Sequence, residues 1–157
     1  MPFHRYEVPE SEIAGQRSER LAIMIVYEDY LTCLLAERLF DRLAARLTRD
    51  CEIYLTLRSF DVLAIPALGE LAAAEAQQAD LVLFAVHAQG KWPSSIENWM
   101  GLFVGDIPTQ HGGLAALLVQ PSPAPPETNA RRSTLERLAG RSGRDFFIAR
   151  DVDWRQP

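Results

Sequence analysis

Two short runs of consecutive apolar residues constrain the fold of this chain more than any other feature of its sequence. Residues 21–27 lie between Arg20 and Glu28, and residues 81–86 follow Asp80. A strand with one face in solvent alternates between apolar and polar residues, whereas a strand covered on both faces is apolar throughout. Strands of the second kind are typical of parallel sheets that lie between layers of helices. The two runs therefore predict a buried parallel sheet.

Further strand signals and four helical segments alternate with these runs. Residues 51–57 alternate between apolar and polar side chains, as an edge strand does, and residues 114–119 and 145–149 predict two more strands. The predicted helices cover residues 30–48, 66–79, 134–140 and a segment that begins at about Ser94. Strands and helices that alternate in this way are joined by right-handed crossovers. We therefore expect a three-layer, doubly wound α/β fold whose five parallel strands have the flavodoxin-like order 2-1-3-4-5.

Local signals refine two of the helices. A single buried stripe along the first helix is predicted from its leucines at positions 31, 35, 39, 43 and 47. Asp29 lies where the N-cap of that helix is expected. Ser94 and Glu97 have the spacing of a capping box, and Trp99 lies on the apolar stripe of the helix that follows them. We expect Trp99 to be part of the core.

The chain is expected to form one domain that follows a short arm. Its 157 residues are the size of one ordinary domain, whereas two domains would each be small. We expect residues 1–20 to form the N-terminal arm and residues 21–157 the flavodoxin-like domain. Residues 151–157 are too few for a helix after the fifth strand, so the last helix of the fold is expected to be missing. The arm or a second copy of the protein would then cover one flank of the sheet.

Charge and hydropathy argue against two classes of partner. The formal net charge is -5, and the basic residues are spread through the helices, so no basic stripe is available to a nucleic-acid backbone. Residues 1–20 lack the apolar segment of a signal peptide, and no apolar run has the length of a membrane span. We expect a cytoplasmic protein that binds neither nucleic acid nor membranes.

Cys33 and Cys51 are expected to be small buried hydrophobic residues.

A ligand site in such a sheet lies outside the carboxyl ends of the strands, where the strand order reverses. For the order 2-1-3-4-5 this crevice lies between the first and third strands. The candidate ligand-binding residues are those that directly follow these strands, namely Glu28, Asp29, Tyr30, His87, Gln89, Lys91 and Trp92.

Two kinds of chemistry are open to these residues. Glu28, Asp29 and His87 offer the donor atoms for a divalent metal or an acid/base pair, but they lack a recognised spacing, and solvated carboxylates near a surface imidazole are the favoured explanation. Lys91 and Trp92 offer a cation and a stacking surface to an anionic or planar ligand. The alternative for Trp92 is that it folds the loop back and packs against the next helix.

Part of the chain resembles flavodoxins and NAD(P)H-dependent FMN reductases. The resemblance covers residues 80–103, an apolar strand followed by Trp92-Pro93 and a helix that carries Ile96, Asn98 and Trp99. It implies a flavin held by a loop after the first strand that is rich in Ser, Thr and Gly. The corresponding residues 27–32 contain no Gly and two carboxylates, and one carboxylate about 4 Å from a phosphate repels it by roughly 1–4 kcal/mol. We expect no flavin mononucleotide to bind in the manner of these families.

The acidic pair after the first strand is similar to that of response-regulator receiver domains. Glu28 and Asp29 match in position the pair that holds magnesium beside a phosphorylated Asp. The phosphoacceptor should end the third strand, where this chain has Ala85, Val86 and His87. We therefore expect no phosphotransfer by the receiver route.

Two hypotheses of function follow. In the first, a flavodoxin-like or receiver-like domain acts by binding a protein partner or a second copy of itself, as a homodimer, and needs no cofactor. In the second, an enzyme or sensor binds a small ligand, with flavin or a divalent metal as candidates, at the carboxyl ends of strands one and three. Residues 121–126, which are rich in proline, would form a loop in either case.

Overall fold

The computed structural model describes residues 19–47, 51–105, 111–120 and 130–149, and these form an α/β fold. Its sheet has five strands, all parallel, in the order β2-β1-β3-β4-β5. The predicted flavodoxin-like strand order is therefore confirmed. The strands are β1 Glu19–Tyr27, β2 Cys51–Ser59, β3 Leu81–His87, β4 Gly113–Val119 and β5 Asp145–Ile148.

Five helices lie within the described ranges and flank the sheet. They are α1 Tyr30–Leu47, α2 Phe60–Leu63, α3 Pro66–Gln78, α4 Ser94–Val104 and α5 Ala130–Ser142. The short helix α2 was not predicted, and α5 is longer than the predicted segment 134–140. Most of the predicted N-terminal arm, the proline-rich segment 121–126 and residues 151–157 lie outside the described residues. None of the described helices combines the length and the apolar character that crossing a bilayer needs.

The sheet has a hydrophobic cluster on each face. Leu35 and Phe40 of α1 pack against side chains such as Ile25 on one face, and α2 to α5 cover the other. Trp99 is 1% exposed and belongs to the second cluster, as predicted. Its Nε1 donates a hydrogen bond to the Gly69 carbonyl at 2.9 Å, so that α3 and α4 are joined where they pack together.

Two local predictions were wrong, the first of them only in part. Leu35 of the expected leucine stripe is buried and Leu39 packs against the core, but Leu31 and Leu43 are 46% and 38% exposed, because residues four apart drift by about 40° per step around a helix. The buried face of α1 also contains Cys33, Ala36 and Phe40. The expected capping box is also absent, since α4 has Pro93 at its N-cap without a side-chain cap hydrogen bond.

A buried arginine closes the end of the sheet opposite the carboxyl ends. Arg144, which directly precedes β5, is 5% exposed. Its guanidinium donates hydrogen bonds to the carbonyls of Ala76 and Ala79 at 2.9 and 2.8 Å, and to that of Gly113 at 3.1 Å. Burial lowers the pKa of Arg144. A cation at the last turn of α3 satisfies carbonyls that the helix itself leaves without partners.

Candidate functional site

The carboxyl ends of β1 and β3 lie side by side, as the predicted crevice requires. Tyr27 is the register partner of Ala85 in this parallel pair. The backbone N–H of Glu28 donates to the Ala85 carbonyl at 3.1 Å, so the pairing continues one residue past the end of β1. The residues that follow the two strands are therefore brought together.

The Glu28 carboxylate faces into the crevice and has partners on both oxygens. Oε1 accepts hydrogen bonds from the His87 backbone N–H at 3.0 Å and from Nη1 of Arg131 at 2.7 Å. Oε2 accepts a weaker one from Nη2 of Arg131 at 3.3 Å. This bidentate geometry is the strong form of an arginine–carboxylate bond. Glu28 is thus an internal ion-pair partner in this fold.

Arg131, in the first turn of α5, fills the centre of the crevice and is 2% exposed. Besides Glu28, its guanidinium donates to the backbone carbonyl of His87, the last residue of β3, at 3.0 Å. It also donates to the carbonyls of Gly90 and Lys91 in the loop that follows, at 2.9 and 2.8 Å. A guanidinium has five N–H donors, and these contacts occupy all five. Arg131 therefore has no donor left for an anionic ligand.

Gly90 lets the loop present its carbonyl to this guanidinium. Its φ is 114°, a region that L side chains rarely adopt. A Cβ at this position would also lie 3.4 Å from Nη2 of Arg131. The loop conformation and the buried arginine are therefore coupled.

Trp92 forms one wall of the same cluster. The Arg131 guanidinium carbon lies 4.5 Å from the centroid of its ring, and the Phe60 ring lies 6.4 Å away, centroid to centroid. Trp92 is half-buried by these contacts, and its Nε1 is buried without a hydrogen-bond partner. These ring partners belong to α2 and α5, not to the helix that directly follows the loop. The stacking surface that could have gripped a planar ligand is covered by the protein's own arginine.

Asp29 and His87 form a second, more exposed pair at the rim. Asp29 Oδ1 accepts from the Thr32 N–H at 3.0 Å, while Thr32 Oγ1 accepts from the Asp29 N–H at 2.9 Å, so Asp29 caps α1 as predicted. Asp29 Oδ2 lies 2.6 Å from Nε2 of His87. Burial raises the pKa of Asp29, but the hydrogen bonds of Thr32 and His87 outweigh it and leave the pKa below its ordinary value.

The lowered pKa of Asp29 predicts how the stability of the protein depends on pH. The stabilisation from ionised Asp29 is present above the ordinary pKa of 3.8 and is lost as the pH falls through the lowered pKa. The variant Asp29→Asn keeps a good N-cap but cannot ionise. Its free energy of unfolding in urea should therefore fall less steeply between about pH 5 and pH 2 than that of the unmodified protein. Parallel pH profiles for the two proteins would refute this assignment.

The remaining predicted residues lie further from the centre. Tyr30 is 80% exposed, and the side chain of Lys91 is exposed although its carbonyl binds Arg131. Gln89 is half-buried. Glu28, Asp29 and His87 are close together, but within the described ranges no group of three or more His, Cys, Asp or Glu residues has an arrangement that would hold a metal ion. Both Glu28 oxygens already accept hydrogen bonds from Arg131.

Sequence reasoning missed Arg131, the residue that organises the crevice. The sequence did contain one indication that Arg131 is buried. Its spacing from Leu135 and Leu138 places all three on one helical face, and these two leucines are 0% and 2% exposed. A buried arginine needs acceptors for its donors, and the half-buried Glu28 is the charged one among them.

No protein-family model matches the chain, and a search of curated proteins finds no significant match. The geometry of the crevice is therefore the basis for assigning its role.

A groove of about 230 Å³ lies away from the crevice, between α3 and α4, and is lined by residues that include Leu63, Pro66, Gly69, Trp99 and Leu102.

Proposed function

We propose that this chain is a protein-interaction domain that performs neither flavin nor phosphotransfer chemistry at the crevice. One observation carries the proposal. Arg131, whose five donors are all occupied, fills the place where a doubly wound sheet receives its ligand. A phosphate would have to displace Glu28 from this arginine and then lie beside the released carboxylate.

Exposed apolar side chains support the interaction role. Leu68, Leu71 and Leu102 on the helices and Phe147 on the edge strand β5 are between 43% and 57% exposed. Single apolar groups in solvent are common, whereas a contiguous apolar patch favours contact with another protein surface. Leu68 and Leu71, three residues apart, lie on one side of α3 and are the neighbouring pair in this set. We propose that the domain acts in the cytoplasm by binding a partner or a second copy of itself.

A second candidate function is that of an enzyme or sensor that uses the rim pair. The carboxylate of Asp29 lies 2.6 Å from His87 Nε2, and the His87 side chain is 35% exposed. A carboxylate that orients an imidazole is an arrangement used in general acid/base catalysis. In this alternative the ligand would bind at the rim beside Lys91 and leave the Glu28–Arg131 pair in place.

Spectroscopy and calorimetry separate the two candidates. We expect the purified protein to show no flavin absorbance, and titration with flavin mononucleotide or magnesium to give no saturable heat, while the sedimentation coefficient rises with protein concentration. Saturable binding that Asp29→Asn or His87→Ala abolishes would remove the interaction proposal in favour of the rim site. The variant Asp41→Asn, an exposed carboxylate on the same helix, is the control.

A further inference from the structure

We propose that the groove between α3 and α4 binds a cationic segment of a partner protein, with one large apolar side chain of that segment seated in the groove. This inference rests on the proposed interaction function and names its surface and the chemistry of the partner. It is carried by the shape of the groove, by the free polar groups on its walls and by the distribution of charge along the chain.

The buried residues that line the groove are held firmly in place. They are Leu63, Gly69 and Trp99. Trp99 Nε1 donates to the Gly69 carbonyl at 2.9 Å, so α3 and α4 cannot separate here without losing a buried hydrogen bond. A Cβ on residue 69 would lie 2.5 Å from the Leu63 carbonyl oxygen, which shows how closely α3 approaches α2. The groove is therefore preformed, and a partner does not have to order it.

The volume of the groove suits a side chain of a partner better than a cofactor. Pockets for drug-sized ligands measure about 300–1,000 Å³. An apolar cavity of about 150 Å³ holds a benzene ring. At about 230 Å³ the groove has room for one large apolar side chain and is too small for flavin mononucleotide. We therefore expect it to receive one anchoring side chain.

The exposed walls of the groove offer both apolar surface and free polar groups. Leu102 of α4 is 48% exposed, and Pro66 at the start of α3 is exposed as well. Glu70 of α3 and Asn98 of α4 line the groove with exposed side chains. Among the described residues, neither of these two side chains has a hydrogen-bond or ion-pair partner. A partner can therefore bind both without displacing an internal bond.

The distribution of charge along the chain identifies the partner segment as cationic. Of the 21 acidic and 16 basic residues of the chain, 7 and 1 lie in residues 59–130, so this part accounts for the negative net charge. Its one basic residue, Lys91, precedes α4 and does not line the groove. The sequences of α2, α3 and α4 contain no Lys, Arg or His and four carboxylates, those of Asp61, Glu70, Glu75 and Glu97.

Three of these four carboxylates are exposed to a partner. Glu75 is bonded to Arg58 of β2 at 2.9 Å, which neutralises it. Glu70 lines the groove itself, and Asp61 and Glu97 are exposed on the two other helices that contribute to its lining. A segment with Lys or Arg on either side of its apolar anchor would therefore meet opposite charges around the groove. Such complementarity favours association and rejects acidic partners.

Selection from a random peptide library tests the chemistry of the partner. We expect short phage-displayed peptides selected on the full chain to be rich in Lys and Arg and to share one large apolar residue. The most enriched peptide, made synthetically, is the probe for titration calorimetry. Replacing its apolar residue by Ala should raise the dissociation constant at least about tenfold, because that side chain is no longer buried in the groove.

Two pairs of variants test the surface with the same probe peptide. Glu70→Lys should raise its dissociation constant about threefold to tenfold, whereas Glu136→Lys, at an exposed glutamate of α5, should leave it unchanged. Leu102→Asn removes apolar surface from the wall and should raise the constant about tenfold. Leu71→Asn is its control, at a leucine of α3 that is 57% exposed but does not line the groove.

A selection that enriches no peptide, or that enriches acidic or uncharged ones, overturns the inference. So does binding that Glu70→Lys or Leu102→Asn weakens no more than its control does, since the peptide then lies elsewhere. A dimer, of twice 17.6 kDa, that Leu102→Asn converts to a monomer also overturns it, because a second copy then fills the groove. Circular dichroism of each variant establishes that the domain is folded.

The proposed interaction function fails by a different result. Saturable binding of flavin mononucleotide or magnesium at the crevice would overturn that function whatever the groove binds. In the absence of such binding, a groove that takes no cationic peptide leaves the interaction function standing with a partner on another surface.

Discussion

Replacing Arg131 by Met should lower the free energy of unfolding by about 3–5 kcal/mol, a large part of the stability of a domain of this size. Met roughly fills the space of the arginine stem but cannot donate hydrogen bonds. Glu28 would then be left in the crevice without its counter-charge, and the carbonyls of His87, Gly90 and Lys91 would lose their donor. Urea-induced unfolding followed by tryptophan fluorescence measures the change, because Trp92 lies against the substituted side chain.

Two variants control this prediction. Arg132→Met changes the neighbouring exposed arginine of α5 and should alter the stability by no more than about 0.5 kcal/mol. Glu28→Gln keeps one acceptor for Arg131 but removes the charge, and should cost about 1–3 kcal/mol. The double variant should lose less than the sum of the single losses, since the two residues share one bond. Equal, small effects of Arg131→Met and Arg132→Met would show that Arg131 is solvated.

Replacing Arg144 by Met should cost about 3–4 kcal/mol at the opposite end of the sheet. The guanidinium of Arg144 donates to four carbonyls, those of Ala76, Gln77, Ala79 and Gly113. Most of these hydrogen bonds are buried, so water cannot fully replace the lost donor. The same urea titration measures this loss.

The exposed Arg141 in the last turn of α5 gives the comparison for Arg144. Arg141→Met removes a favourable charge at a helix C-terminus and should cost no more than about 1 kcal/mol. Arg144→Lys should recover only part of the loss, because an ammonium group has three donors and no planar fork. Recovery of the full stability by lysine would show that charge alone, and not the four hydrogen bonds, holds this end of the sheet.

The sheet was predictable because its signal is local. The apolar run at residues 81–86 has no polar residue on either face, and only a strand covered on both sides tolerates that. Asp29 was equally readable as a helix cap, since its hydrogen bond reaches only three residues along the chain. The short helix α2 also has a local signal, the N-cap Ser59 whose hydroxyl accepts from the Val62 N–H, but a helix of four residues also depends on the tertiary core, which holds Phe60 and Leu63.

The chemistry of the crevice was predicted only in part, for a physical reason. Sequence reasoning brought Glu28, Asp29 and His87 to one edge, because β1 and β3 are neighbours in this strand order. The partner that decides the role of Glu28 lies 103 residues away, on a helix outside both strands. No local pattern joins residues at such a separation, so the same carboxylate was consistent with a metal ligand and with an ion-pair partner.

The central claim is that the Arg131 guanidinium occupies the crevice with all of its N–H groups hydrogen-bonded inside the protein. Measuring how fast these protons exchange with water tests this claim most directly. Nuclear magnetic resonance of ¹⁵N-labelled protein at neutral pH can detect arginine Nη protons only when they exchange slowly with water. We predict slowly exchanging, dispersed Nη resonances that Arg131→Met removes and that flavin mononucleotide leaves unchanged. Rapid exchange of these protons, or their displacement on saturation with flavin mononucleotide, would contradict the account.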